Sequence, residues 1–600
     1  MQKPFGPAKG ILDALLIVAS IIFALALLDQ SYSVSFSVST YLLILTIFVI
    51  VVLISIVYAN EIVAVANVFI FSIAVRLMFY VYSRFSIFPF GDSYAQYDVF
   101  KIFADASPPH AFLFPLNGES LYAELGLYLS GQVGRYSQWP GFQILAISFS
   151  QMTGLGTFDA AMILTFVLYI AWFVVVYALV KTILKPATSK FRNLSAFCLV
   201  ITTSLPTFEI PPYFKYDFAA TVILMTAILL LIFSYEKRDP KILLLLPILG
   251  GAIVVTHPIV TVVLLALFAM TLFGLALRLE ILRRMRHSIS YLTYDTTLLK
   301  SLSRALAIIL VIAITWSILY STSLIVIIRD SIPKLLASFS PSTALRFSRV
   351  SSSTAIVLGS LTPKWLLSLL SIRDSLVIGL LAVGAILLLL RPSILGRLDV
   401  ALLLLSIVII TFVTVFVQAL NYNDRAFLLF APILGSIIVL PLAKKIWGFN
   451  LIKILYVVIA FVLMFSIGVG FWGSSYAPVY LYNSHVSAVS FGEQPLTWQS
   501  LSSYMTYSTG SNCTLTNEIY TTSLAVPVSS YNSTFSFQSV LWRPGCIMVM
   551  YYNLTTFENS YALEPEAPAP TFSLASFSAA LNTTADRVFS GGNATVYYFL

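Results

Sequence analysis

Charge is what this chain has least of: Asp, Glu, Lys and Arg together make up 10% of its 600 residues, against 59% hydrophobic ones. So few charged groups cannot cover the surface of a soluble globule, and a mean hydropathy of +0.93 excludes one. Cysteine is limited to Cys198, Cys513 and Cys546, which leaves room for one disulfide at most. There is no solenoid-type repeat and no long low-complexity linker, which removes the repeat architectures.

What the chain has instead is apolar runs long enough to cross a hydrocarbon core of about 30 Å. They lie at 11–28, 40–58, 62–81, 159–181, 192–207, 214–234, 242–256, 257–277, 303–327, 374–391, 399–419, 427–442 and 452–472, and predict about 13 spans. The first follows Lys3 and Lys9 but has no small-residue cleavage site before Asp29, so it is read as a retained anchor and not as a signal peptide.

Cationic loops resist translocation, so lysine and arginine placement orients the spans. With the N-terminus inside, the later inner loops carry Lys181, Lys185, Lys190 and Arg192; Lys237, Arg238 and Lys241; Arg278 to Arg304; Arg391 and Arg397; and Lys444, Lys445 and Lys453. The net charge of +9 is thereby a topology signal, and nucleic acid is not an expected partner. The same parity puts residues 82–140, 328–373 and the tail from 473 outside.

The tail changes character, from Leu, Ile and Val runs to alternating segments such as Ile547 to Tyr552 and Ala594 to Phe599, which predict strands. It also holds acceptor sequons at Asn512, Asn532, Asn553, Asn582 and Asn593, usable only on the outer face. Cys513 and Cys546 fall in the same tail, where an oxidising exterior favours a disulfide between them, whereas Cys198 reads as a small buried apolar residue. The expected fold is an all-α polytopic membrane bundle with a C-terminal extracytoplasmic α/β or β-rich domain. Its divisions are an N-terminal transmembrane hairpin at 1–61, a core at 62–330, an outer loop with further spans at 331–472, and the outer domain at 473–600.

Function is sought where carboxylates gather. The outer loop 82–140 holds Asp92, Asp98, Asp105, Glu119 and Glu124 and ends in Tyr136-Ser-Gln-Trp139-Pro-Gly141 before an amphipathic segment. The next outer loop reads Phe208-Glu209-Ile-Pro-Pro-Tyr-Phe-Lys-Tyr-Asp217. Carboxylates at a membrane surface either take a proton from an attacking hydroxyl or hold a divalent cation beside a leaving phosphate. Aromatic rings with one apolar face suit sugars and headgroups. Together they suggest a lipid-linked sugar donor.

Three cationic or imidazole positions carry two readings each. His257, before Pro258 at a break between spans, is either a phosphate contact or a helix-break histidine satisfied by a carbonyl. Arg425, in Asn421-Tyr-Asn-Asp-Arg425, either grips a lipid phosphate or pairs with Asp424. Arg76, deep in a span, is either functional or snorkels to the surface. The loop 328–373, with Arg329, Lys334, Arg346, Arg349 and Lys364 among apolar residues, reads either as an interfacial segment attracting an anionic lipid carrier or as a solvated loop lying on membrane lipid headgroups.

In this order of spans and loops the chain resembles the C-type glycosyltransferases, multispan enzymes that use polyprenyl-phosphate-linked sugars. The likeness rests on Asp92 and Asp98 just past a span, on the turn Trp139-Pro140-Gly141, and on Glu209 and Asp217 in the next outer loop, and it covers roughly residues 62–330. It implies a glycosyltransferase of the plasma membrane acting on a glycan, lipid or protein acceptor. Asp92 and Asp98 would be catalytic, while Glu209, Asp217, His257, Arg425 and Trp139 would contact substrate. A divalent cation, Mg or Mn, would be held by Asp92, Glu209 and Asp217. The chain departs from the family in lacking a clean Asp-x-Asp in the second loop and the Trp-Trp-Asp signature of oligosaccharyltransferase catalytic subunits. A secondary transporter and a noncatalytic membrane-anchored assembly protein stay as alternatives.

Overall fold

The computed structural model describes residues 7–32, 38–82, 139–184, 193–203, 216–237, 239–284, 289–319 and 449–470, with five short strands between 514 and 598 and separate positions within 96–104 and 368–383. The helices in chain order are α1 (Pro7–Tyr32), α2 (Val38–Tyr58), α3 (Glu61–Tyr82), α4 (Gly141–Thr153), α5 (Thr157–Leu184), α6 (Leu194–Thr203), α7 (Tyr216–Lys237), α8 (Leu246–Thr256), α9 (Pro258–Arg284), α10 (Ile289–Leu319) and α11 (Phe449–Gly470). Among the described residues, 6 helices are long and apolar enough to cross a membrane: α1, α2, α3, α5, α9 and α10. Shorter apolar helices lie at Leu194–Thr203, Phe218–Ser234, Pro240–Thr256 and Tyr456–Val469. The chain is an α-helical membrane bundle. The spans read between 374 and 442 lie outside the described residues, apart from a few positions up to 383.

The helices are apolar on all sides because they meet two apolar surroundings. On α1, Leu16, Ala24 and Leu27 are buried, while Ile11, Leu15, Val18, Ile22 and Leu25 are exposed, as a lipid-facing side requires. Hydroxyls inside such helices turn back on their own backbone. Thr165, Thr202 and Thr271 donate to carbonyls four residues earlier at 2.8, 2.7 and 2.7 Å. The sequence opens the ninth span at 303, whereas α10 begins at Ile289. Its buried stripe, Leu298, Leu302, Ala305, Ile309 and Ala313, keeps helical spacing below the apolar run, so the helix continues past it.

Polar side chains tie the basic end of the bundle together. Asn60, between α2 and α3, donates its side-chain amide to Asp13 of α1 at 2.6 Å and accepts from Val63 N–H at 2.9 Å, capping α3. Leu16 and Val63 pack one turn further along, so α1 lies against α3 as well as α2. Asn193, just ahead of α6, donates to Ile56 O at 2.7 Å and Ala59 O at 3.1 Å, satisfying carbonyls where α2 stops. Ser195 donates to Glu61 Oε1 at 2.9 Å, and Lys181 donates to Tyr177 at 3.2 Å.

Close approach elsewhere depends on small residues. Gly250 of α8 faces Ile309 of α10, and Gly468 of α11 faces Leu45 of α2, each leaving no room for a Cβ. Beside the latter contact, Tyr41 of α2 donates to Gly468 O at 2.7 Å.

In the tail, strands β1 (Thr514–Thr516), β2 (Tyr531–Thr534), β3 (Ile547–Tyr551), β4 (Asp586–Gly591) and β5 (Ala594–Tyr598) form one mixed sheet in the order β2-β1-β3-β5-β4. β1 is parallel to both β2 and β3, while β5 is antiparallel to β3 and β4, with Val549 opposite Val596. Both segments read as strands from their alternation are strands, β3 and β5. Asn532 lies in β2; Cys513, Cys546, Asn512, Asn553, Asn582 and Asn593 are outside the described residues.

Gly468→Val should overpack the α2–α11 contact and destabilise the protein by roughly 1–3 kcal/mol, whereas Tyr41→Phe should cost about 1 kcal/mol. Thermal unfolding in detergent, followed by helical circular dichroism, checks both. A valine variant as stable as the parent would show that the two helices do not meet at Gly468.

Candidate functional site

A buried cation and a break between two helices define the candidate site. The 10 described residues of α6 are all buried. Arg76 of α3 is 1% exposed, its Nη2 donates to Thr203 O at 3.0 Å, and its Nη1 donates to Ser72 O and Oγ at 2.8 and 2.7 Å. A guanidinium away from water needs such acceptors, because a buried charge without partners is costly. The guanidinium lies 5.2 Å from the ring centroid of Tyr169 in α5, whose hydroxyl shares a 2.5 Å hydrogen bond with Ser72. Arg76 therefore does not snorkel to the surface.

The aromatic contacts continue from Tyr169 to the start of α7. Phe218 stacks on Tyr169 at 6.5 Å and tilts against Trp172 at 6.4 Å. Two residues earlier, Tyr216 lies 4.5 Å from the His257 ring, tilted by 30°. Tyr169 is twelve residues into α5, so Phe218 meets α5 about 18 Å along it from Thr157. Thr203 of α6 and Phe218 of α7 thus lie on either side of the Arg76–Tyr169 pair.

His257 holds the break between α8 and α9. A residue before proline is biased away from the helical region, and Pro258 suits the first position of the next helix. His257 is extended, at φ −154° and ψ 120°. Its N–H donates to Ile253 O at 2.8 Å, ending α8. Its Nδ1 accepts from Ile259 N–H at 3.1 Å and Val260 N–H at 3.2 Å, starting α9. With the Nδ1 lone pair engaged, the neutral ring carries its hydrogen on Nε2, which is the donor this residue offers. The reading of a break histidine satisfied by a carbonyl is corrected: the side chain is satisfied by backbone N–H groups, as an N-cap.

The turn expected at Trp139-Pro140-Gly141 comes to the same place. Trp139 is 2% exposed, and α4 begins at Gly141, where a Cβ would lie 2.5 Å from Thr256 Oγ1 and 3.0 Å from Val255 O. Only glycine lets α4 approach the end of α8 this closely. The acidic loop is tied here too, since Gln143 of α4 donates to Gln96 at 2.8 Å. Next to it, Tyr97 reaches Thr157 at 3.2 Å and packs edge-on against Phe158.

Of the sequence-predicted site residues, the structure brings Trp139 and His257 together with the backbone of Asp217, the second residue of α7. Asp92, Asp98, Glu209 and Arg425 lie outside the described residues, although Asp98 follows Tyr97 directly. Among the described residues no three His, Cys, Asp or Glu gather as a metal site would require. Sequence reasoning passed over Tyr169, Ser72, Gln96 and Gln143. Gln143 was visible as a lone amide in the apolar start of α4, a position where a polar side chain needs a partner.

No family model matches this chain, and no curated protein matches it either. What the fold and the site define is a class: an α-helical membrane protein whose helices are interrupted around a shared, aromatic-lined interior.

Arg76→Met should leave Thr203 O and Ser72 without their donor and destabilise the protein by roughly 1–3 kcal/mol, while Arg76→Lys should recover part of the loss. Thermal unfolding in detergent measures both. If the methionine variant unfolded at the parent's temperature, the guanidinium would not be what ties α3 to α6.

Proposed function

We propose that this chain is a membrane glycosyltransferase of the C type, moving a sugar from a polyprenyl-phosphate donor to a glycan, lipid or protein acceptor at the outer face of the plasma membrane. The reading includes about thirteen spans, an inner N-terminus and an outer C-terminal domain. Its main support is the meeting of the α4 start, the α7 start, the α8–α9 break and residues 96–97 of the acidic loop at one buried place. Those are the segments that carry or adjoin the candidate carboxylates.

In the proposed reaction an acceptor hydroxyl attacks the anomeric carbon of the donor sugar. The bond from that carbon to the phosphate oxygen breaks, polyprenyl phosphate departs, and Asp92 takes the hydroxyl proton with Asp98 beside it. Arg425 and the Nε2–H of His257 would receive the leaving phosphate, which is already negative and gains charge as the bond opens. Trp139 would offer a ring face to the sugar. Asp92, with Glu209 and Asp217, would hold Mg or Mn if a cation neutralises the phosphate.

A secondary transporter is the second reading, favoured by one observation. Transporters place charged groups within the bilayer, and Arg76, buried in α3 and donating to the α6 backbone, is such a group.

Detergent micelles separate the two, because transfer chemistry needs no sealed compartment while transport does. Purified protein should incorporate label from a polyprenyl phosphohexose into acceptor, and Asp92→Asn should reduce the rate roughly a hundredfold or more with unchanged thermal stability. Flux only in sealed vesicles, with no incorporation in micelles, would assign the chain to the transporters.

A further inference from the structure

Gln96 and Gln143 are both 0% exposed, and a single hydrogen bond, Gln143 Nε2 to Gln96 Oε1 at 2.8 Å, joins them. Two facing side-chain amides can make two hydrogen bonds, each N–H to the other's carbonyl. Among the described residues the second bond is not made: Gln96 Nε2 and Gln143 Oε1 are buried without a hydrogen-bond partner. Interchanging nitrogen and oxygen in both amides would reverse the bond but leave the same remainder: one donor and one acceptor side by side.

A buried donor and a buried acceptor left open each carry a desolvation cost, and native interiors rarely leave such groups unanswered. One chemical group answers both at once: a hydroxyl oxygen that accepts from Gln96 N–H and donates to Gln143 C=O. Carboxylates and phosphates cannot, because they have no hydrogen to give. Ammonium and guanidinium groups cannot, because they have no lone pair to offer. The pair also adjoins, along the chain, residues assigned to the proposed reaction. Gln96 is two residues before Asp98, and Gln143 is four residues after Trp139.

We infer that the Gln96–Gln143 amide pair is a subsite for a hydroxyl of the transferred sugar, closing around it away from bulk water. The inference rests on the lipid-linked-sugar reading and adds a specificity-determining pair to it. A single bound water has the same hydrogen-bonding capacity, so the test must separate the two sources. A site built on such a bond discriminates strongly against ligands that cannot make it.

The experiment uses the full chain in lipid nanodiscs and measures its affinity for polyprenyl phosphate and for the same carrier bearing glucose, mannose or galactose. At least one sugar should tighten binding about tenfold or more over the bare carrier, the order expected when a buried polar group gains or loses its partner. Gln143→Met should abolish that gain and leave the bare-carrier affinity unchanged, and Gln143→Glu, which keeps an acceptor oxygen, should retain part of it. Gln96→Met makes the same test from the other amide should the first variant fail to fold. If the gain survives in the methionine variants, the pair holds water and the subsite is wrong. If the parent binds the bare carrier but gains nothing from any of the three sugars, the subsite also falls while the lipid-carrier reading stands. Failure of the parent to bind any of the four ligands would remove that reading, and the inference with it.

Discussion

A helix that ends inside a membrane bundle must find partners for its last carbonyls or first N–H groups from within the protein, since no water is at hand. Much of the arrangement described above follows from that constraint. Asn193 answers the end of α2, and His257 both the end of α8 and the start of α9. Each comes from a different part of the chain than at least one of the helices it completes, or from the break itself. Satisfying the backbone and assembling the bundle are one event.

The same constraint explains why the candidate site is where it is. The side chains drawn in to cap an interrupted helix are those with donors and acceptors. Around this place the structure packs rigid rings, Tyr169, Trp172, Phe218 and Tyr216, against a guanidinium and an imidazole. Gly141 is the hinge of the geometry, because a side chain there would push α4 off the end of α8.

Legibility differed by kind of signal. Long apolar runs announced α1, α2, α3, α5 and α9 with ends within a few residues, since burial in lipid writes itself along a contiguous stretch. The break at His257 was visible because proline constrains the residue before it. The start of α10 was not, because a helix that leaves the apolar layer keeps its buried stripe while its composition turns polar.

Composition and periodicity, read from the chain alone, determined that this is a membrane bundle, which way its basic loops bias it, and that its tail turns to strands. These are sums over many residues, so no single contact could overturn them. What tertiary structure alone decided is which side chains meet: that Arg76 turns to the α6 backbone and not to the surface, that His257 caps α9 through Nδ1, and that Gln96 and Gln143 face each other. Pairings between distant positions depend on how helices pack, and no local pattern encodes them.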